Sequence, residues 1–178
     1  MKNQIFFLIN ILILGCEAPG EGISRATTLA PPDHWFVVDT LTMSFNEPIE
    51  MEIMENGDVM IIERAGAIKL YESAQVSIKT IGILPVVSSQ SNGLNGIALD
   101  PDYENNGFVF FSYTPLADSA HHRISRFKIS PDSLFLQSER ILLEIPIDIE
   151  NGWHGINAME FDSKGNLYFA IGDFTVQN

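Results

Sequence analysis

One imidazole in the second half of this chain has the setting of a proton-transfer group. In "GWHGINAMEFDSKGNLYFAIGD", which starts at Gly152, His154 stands in a glycine-flanked bend. Two short apolar runs joined by a polar turn follow it, so the bend opens onto a β-hairpin. Imidazole titrates near ~6.5 when unperturbed, so a neutral ring can accept a proton at ordinary pH. The ordinary alternative is a half-buried histidine bonded to a neighbouring carbonyl. Trp153 beside it reads either as core packing or as a flat stacking platform.

The other candidate groups are weaker. His121 and His122 are adjacent in a β-like run, so their side chains point to opposite faces and do not share a metal. "DPDYENNG" sets Asp100, Asp102, Glu104 and Asn106 at alternate positions, superficially like a calcium loop. It lacks the glycine at the sixth place and the spaced terminal glutamate, and reads as a turn. Asp173, after Gly172, reads as a turn cap. There is no phosphate-cradling glycine loop, nucleophile elbow or zinc-ligand spacing.

The positioning elements are strands. From Trp35 onward, short β-rich runs alternate with Asn/Asp/Gly turns, and no stretch shows a helical apolar stripe. "PIEMEIMENGDVMIIERAGAIKLYE", "GLNGIALDPDYENNGFVFFSYT" and "NAMEFDSKGNLYFAIGD" open three cycles that can be superposed. Gly57, Gly107 and Gly165 each sit at the turn, and Ile61, Phe110 and Tyr168 lie in the second strands. A recurrence of about 45 to 60 residues suits a four-stranded unit that buries its faces only against neighbours. The expected fold is therefore all-β, a β-propeller of which about two and a half four-stranded blades are present. Such a portion would be the N-terminal part of a longer protein, and by itself would leave a strand edge open to association. A β-sandwich of about ten strands is the alternative.

With 178 residues, 46% of them apolar, the chain can build one ordinary core. Acidic residues outnumber basic ones 23 to 10, for a formal charge of −13. That field repels nucleic-acid backbones and anionic headgroups, and suits a neutral substrate, a divalent cation or a solvated surface. The first 15 residues read as a cleavable signal, with Lys2 ahead of a largely apolar run from Ile5 to Leu14. Ile13-Leu14-Gly15-Cys16 has the form of a bacterial lipobox, so Cys16, the only cysteine, is expected to carry a lipid. Residues 16–34, rich in Pro, Gly and small side chains, read as a tether to a body spanning 35–178. The expected location is the bacterial cell envelope, with membrane contact through the lipid anchor only.

"NGLNGIALDPDYENNGFVFFSYT", "RISRF" and the block from "WHGINAMEF" to "AIGD" together resemble the glucose/sorbosone dehydrogenase family, as does "DVMIIERAGAIKLYE". The resemblance runs over about Trp35 to Asn178. It implies a six-bladed propeller with pyrroloquinoline quinone (PQQ) and Ca²⁺ near the axis, and oxidation of a sugar or related alcohol with an external electron acceptor. It also implies that His154 is the general base, with Ser91 (or Gln90), Asn157 and Trp153 as neighbours of cofactor and substrate. Several positions depart from the family pattern. Ser91 stands where Gln or Glu is usual, and Trp153 where an acidic residue, His or Cys precedes the histidine. Asn157 stands for a glycine, Ala158 for Arg or Ser, and Asn95 for an apolar residue. Only 10 Lys and Arg are present, and none accompanies His154, so this stretch is not expected to hold the tricarboxylate PQQ by itself. A non-catalytic propeller binding carbohydrate or a protein partner is the alternative function. A calcium-dependent propeller hydrolase would need converging acidic ligands.

Overall fold

The computed structural model describes residues 40, 44–130, 133–147 and 155–172. Leu41–Asn178 forms one compact unit, and everything below belongs to it. Cys16, Trp153, His154 and Asp173 lie outside the described residues.

The first sheet runs β1 (Pro48–Ile53), β2 (Val59–Glu63), β3 (Ala67–Glu72) and β4 (Ser77–Ile83), paired in sequence order. Its first turn uses Gly57 at φ +87°, where a side chain would be strained. The Asp58 carboxylate accepts from the Ser73 backbone N–H at 2.8 Å and its hydroxyl at 3.1 Å, tying the start of β2 to the far end of β3. The second sheet repeats the order with β5 (Leu94–Leu99), β6 (Phe108–Tyr113), β7 (His121–Ile129) and β8 (Leu134–Pro146). In the third, β9 (Ile156–Phe161) pairs antiparallel with β10 (Leu167–Ile171).

The cores lie between the sheets. On β6, Val109, Phe111 and Tyr113 join Met60, Ile62, Ile68 and Leu70 of the first sheet, whereas Phe110 joins Ile156 and Met159 of the third. Each such side chain contributes on the order of 1.5–3 kcal/mol when fully buried. The second sheet thus packs on both faces, which a two-layer sandwich does not require, and the arrangement is that of successive blades in a β-propeller. The first strand of each sheet forms the common inner edge, with β5 lying against β1 on one side and β9 on the other.

β8 is the longest of these strands, running 13 residues alongside β7. One detail differs from expectation. "DPDYENNG" contains a one-turn helix, α1 (Tyr103–Asn106), closed by Gly107 in the left-handed conformation. The Asp100 carboxylate there accepts from the Asp102 N–H and the Asn106 side-chain amide, so this oxygen is spent locally. His121 and His122 do face opposite ways: His121 is half-buried against Asp118, and His122 is fully buried.

Candidate functional site

The inner strands enclose an open cleft of about 790 Å³. Glu50 of β1, Arg64 after β2, Ser91 before β5, Asn95 on β5 and Asn157 on β9 line it. Gly155, next in sequence to His154, and Gly172, next to Asp173, also border it. Two of the expected site residues, Ser91 and Asn157, therefore come together at one wall.

The strands meet closely because of Gly96. A Cβ at this position would lie 1.9 Å from the Asn157 carbonyl oxygen and 2.6 Å from the Ser112 hydroxyl. The residue's lack of a side chain lets β9 cross β5 at backbone distance. The Ser112 hydroxyl, fully buried, donates to the Ile156 carbonyl at 2.8 Å. His122 packs into the same seam, 3.1 Å from the Thr114 hydroxyl. Burial pushes its imidazole down to about 4, with a hydrogen bond to the Ile156 backbone acting the other way, so the ring is neutral. The Ser112 hydroxyl thus fixes Ile156, two residues beyond His154 in sequence.

Asn95 completes the wall. It is 7% exposed, and its Nδ2 donates to the Ser91 carbonyl at 2.9 Å and to Asn157 Oδ1 at 3.2 Å. Among the described residues its own Oδ1, which is buried, has no hydrogen-bond partner. Sequence reasoning marked Asn95 only as a departure. That the β5 register shifts between Leu94 and Gly96, at Asn95, is a property of the folded ladder.

The cleft is acidic. Glu50 reaches across from β1 to accept from the Ile97 N–H at 2.8 Å. Burial raises its carboxyl above the ordinary range, the Ile97 bond opposes this, and the Glu160 charge adds to the rise. Glu52 is pushed up to about 7 by burial, then by Glu160 and Glu50. The alternation in "IEMEI" was the readable signal: β1 turns its carboxylates toward the neighbouring sheet and leaves Met51 and Ile53 exposed. Arg64 is the cation of this wall, and its guanidinium is engaged. Nη2 bonds the Glu47 carboxylate at 2.8 Å, and Nη1 donates to the Gln90 carbonyl at 3.1 Å. This holds the turn containing Gln90, which adopts φ +54°, beside Ser91.

These residues do not fit the carboxylates of PQQ, because the cation present is paired and the remaining charges are negative. Among the described residues no three His, Cys, Asp or Glu side chains are grouped to hold a metal. What the wall offers is uncharged hydrogen bonding from Ser91, Asn95 and Asn157.

Comparison with known proteins places this geometry. The profile of the glucose / sorbosone dehydrogenase family matches residues 45–178. The chain belongs to the glucose/sorbosone dehydrogenase family. Within it, the chain is 23% identical over 177 residues to aldose sugar dehydrogenase YliI of Escherichia coli K12, covering 97% of this chain and 45% of that protein. It is 26% identical over 136 residues to the uncharacterized protein slr1608 of Synechocystis, covering 71% of this chain and 32% of that one. Among solved structures, the PQQ-bound form of an aldose sugar dehydrogenase from Streptomyces coelicolor superposes with a TM-score of 0.64 at 25% identity, covering 77% of this chain and 41% of that one. The chain therefore spans less than half the length of these relatives.

Proposed function

We propose that the protein to which this chain belongs is a PQQ-dependent dehydrogenase that oxidises an aldose sugar or related alcohol. The observation that carries this reading is the cleft at the inner edge of β1, β5 and β9, in a chain of this family, with Gly155 and Gly172 at its border. In this proposal His154 is the general base and takes the proton of the substrate hydroxyl. The buried bond from Ser112 to Ile156 supports that role by fixing the backbone that follows it. Ser91 and Asn157 bind substrate oxygens, and Trp153 flanks them. The described wall is uncharged or acidic where it faces the cleft, which suits a neutral sugar. The residues that hold PQQ and Ca²⁺ are proposed to lie outside this wall, and electrons leave to an external acceptor. The lipobox pattern supports anchoring through Cys16 at the bacterial cell envelope.

The test is reconstitution of the full protein with PQQ and Ca²⁺, followed by dye reduction with an aldose. Activity is expected in the wild type and its loss, by about 10²-fold or more, in His154→Ala. Unchanged turnover in the variant removes His154 from the reaction. A non-catalytic carbohydrate-binding propeller is the second reading, favoured by Trp153 where a group able to orient the imidazole would stand. Aldose binding with no dye reduction under any reconstitution would select it.

A further inference from the structure

Two of the positions at which this sequence departs from the family pattern turn out to be hydrogen-bonded to each other. Asn95 stands where the resemblance leads one to expect an apolar side chain, and Asn157 where it leads one to expect glycine. They are 62 residues apart in sequence and 3.2 Å apart in space. Alone, an asparagine at 95 would keep only its bond to the Ser91 carbonyl, and one at 157 would place a loose side chain in the cleft.

The chemistry of the pair fixes its orientation. The Ser91 carbonyl can only accept, so the Asn95 atom 2.9 Å from it must be Nδ2. The second proton of that nitrogen points at Asn157, whose facing atom must then be Oδ1. Asn157 Nδ2 is left on the other side of its amide, in an exposed residue that lines the cleft. Neither of its protons has a hydrogen-bond partner among the described residues. Among the described residues the arrangement also leaves Asn95 Oδ1 buried without a partner. A buried acceptor without a partner costs about 1–3 kcal/mol, so stability alone would be better served by an apolar side chain at 95 that makes no bridge. The surroundings define what the presented donors can meet. Glu50 lines the same cleft, with Glu52 and Glu160 close behind it, and Arg64 is held by Glu47. An anion is repelled there, and an apolar group would strand the amide without a partner.

We infer that the Asn95–Asn157 pair is a specificity-determining element of the cleft, in which Asn95 holds the Asn157 amide with its N–H groups turned toward a hydroxyl or carbonyl oxygen of a neutral polyhydroxylated ligand. The inference deepens the sugar-site reading of the cleft and rests on it, but it concerns binding and not turnover.

The test follows the side-chain amide of Asn157 by NMR in full-length protein, titrated with glucose and, separately, with gluconate. Glucose is expected to shift the Asn157 amide signals, and gluconate to leave them in place. In Asn95→Leu the two amide protons of Asn157 lose their fixed environment, and glucose affinity falls about tenfold, the size of one good hydrogen bond. The unfolding midpoint is expected to hold or rise in this variant, whereas a merely structural bridge would lower it. Asn157→Gly, a change at an exposed position, is expected to give the same loss of affinity and serves if Asn95→Leu does not fold. Unchanged glucose affinity in Asn157→Gly, or equal binding of gluconate by the wild type, overturns the inference. Neither PQQ nor turnover enters this measurement. Binding through Asn157 without dye reduction would sink the dehydrogenase reading alone, and turnover with an unaltered KM for glucose in Asn157→Gly would sink this one alone.

Discussion

The two faces of the central sheet are built to different ends. Toward the first sheet, β6 presents Val109, Phe111 and Tyr113 to a continuous apolar layer that reaches from Met60 to Ile129. Toward the third sheet it presents Phe110, and then Ser112 at the inner end, where the apolar series stops. There His122, Thr114 and Ser112 take over, all fully buried, and the contact between sheets passes through the Ile156 backbone. The first interface holds blades together by area. The second fixes one strand in one place, which is what a cleft with a defined wall requires.

The sharpest way to break this contrast is to force the inner strands apart. Gly96→Ala places a methyl group 1.9 Å from the Asn157 carbonyl, a backbone atom that cannot rotate away. A cost on the order of 3–5 kcal/mol is expected, at the severe end for a single substitution. Gly165→Ala is the control, since nothing lies within 4 Å of a Cβ there and the penalty is only that of φ +80°, about 1–2 kcal/mol. Urea unfolding of both variants checks the ranking. Equal costs would mean that β5 and β9 do not approach as described.

A smaller effect separates polar positioning from packing. Ser112→Ala removes a buried donor from the Ile156 carbonyl while changing volume little. It is expected to cost about 1–2 kcal/mol, and to raise hydrogen exchange at the start of β9 more than in the apolar layer around Phe111. Uniform loss of protection through both interfaces would show that the seam has no local role.

The first interface was legible in the sequence and the second was not. Alternating runs such as "DVMIIERAGAIKLYE", with glycine at each turn, announce half-buried strands because period-two patterning follows from strand geometry. The repeat of that pattern announces stacked sheets. Ser91 and Asn157 were found through resemblance, and they do share a wall. The Asn95 bridge, the engagement of Arg64 and the burial of His122 depend on register across sheets, and no local pattern encodes which residue of β9 will face which residue of β5. In β1 the alternation itself puts Glu50 and Glu52 on the inward side, and in β5 Asn95 interrupts a buried apolar run; these inward polar residues mark the cleft.

The smallest expected effect lies in pH dependence, where two groups of the inner region pull in opposite directions. Glu52 has a folded value of about 7, raised from 4.5 by burial and by Glu160 and Glu50. The native state therefore binds more protons than the unfolded chain between those values, and the contribution of Glu52 to stability falls as pH rises through that window. His122, lowered from 6.5 to about 4 by burial, has the opposite sign. Its contribution is complete above 6.5 and is lost as pH falls toward 4, because the unfolded chain takes up the proton first. Between pH 4.5 and 6.5 the two slopes oppose each other, so neither dominates the wild-type profile. Glu52→Gln removes the larger part of the falling component, leaving only that of Glu50, which burial also raises. Stability should then climb with pH across that interval, and at pH 7.5 the variant should exceed the wild type by about 1 kcal/mol, a figure reduced because water reaches part of the carboxylate. Urea midpoints measured from pH 4.5 to 7.5 read the slope directly. Parallel profiles for variant and wild type would mean that Glu52 is solvated in the folded protein, and that the acidic side of the cleft imposes no strain on the fold.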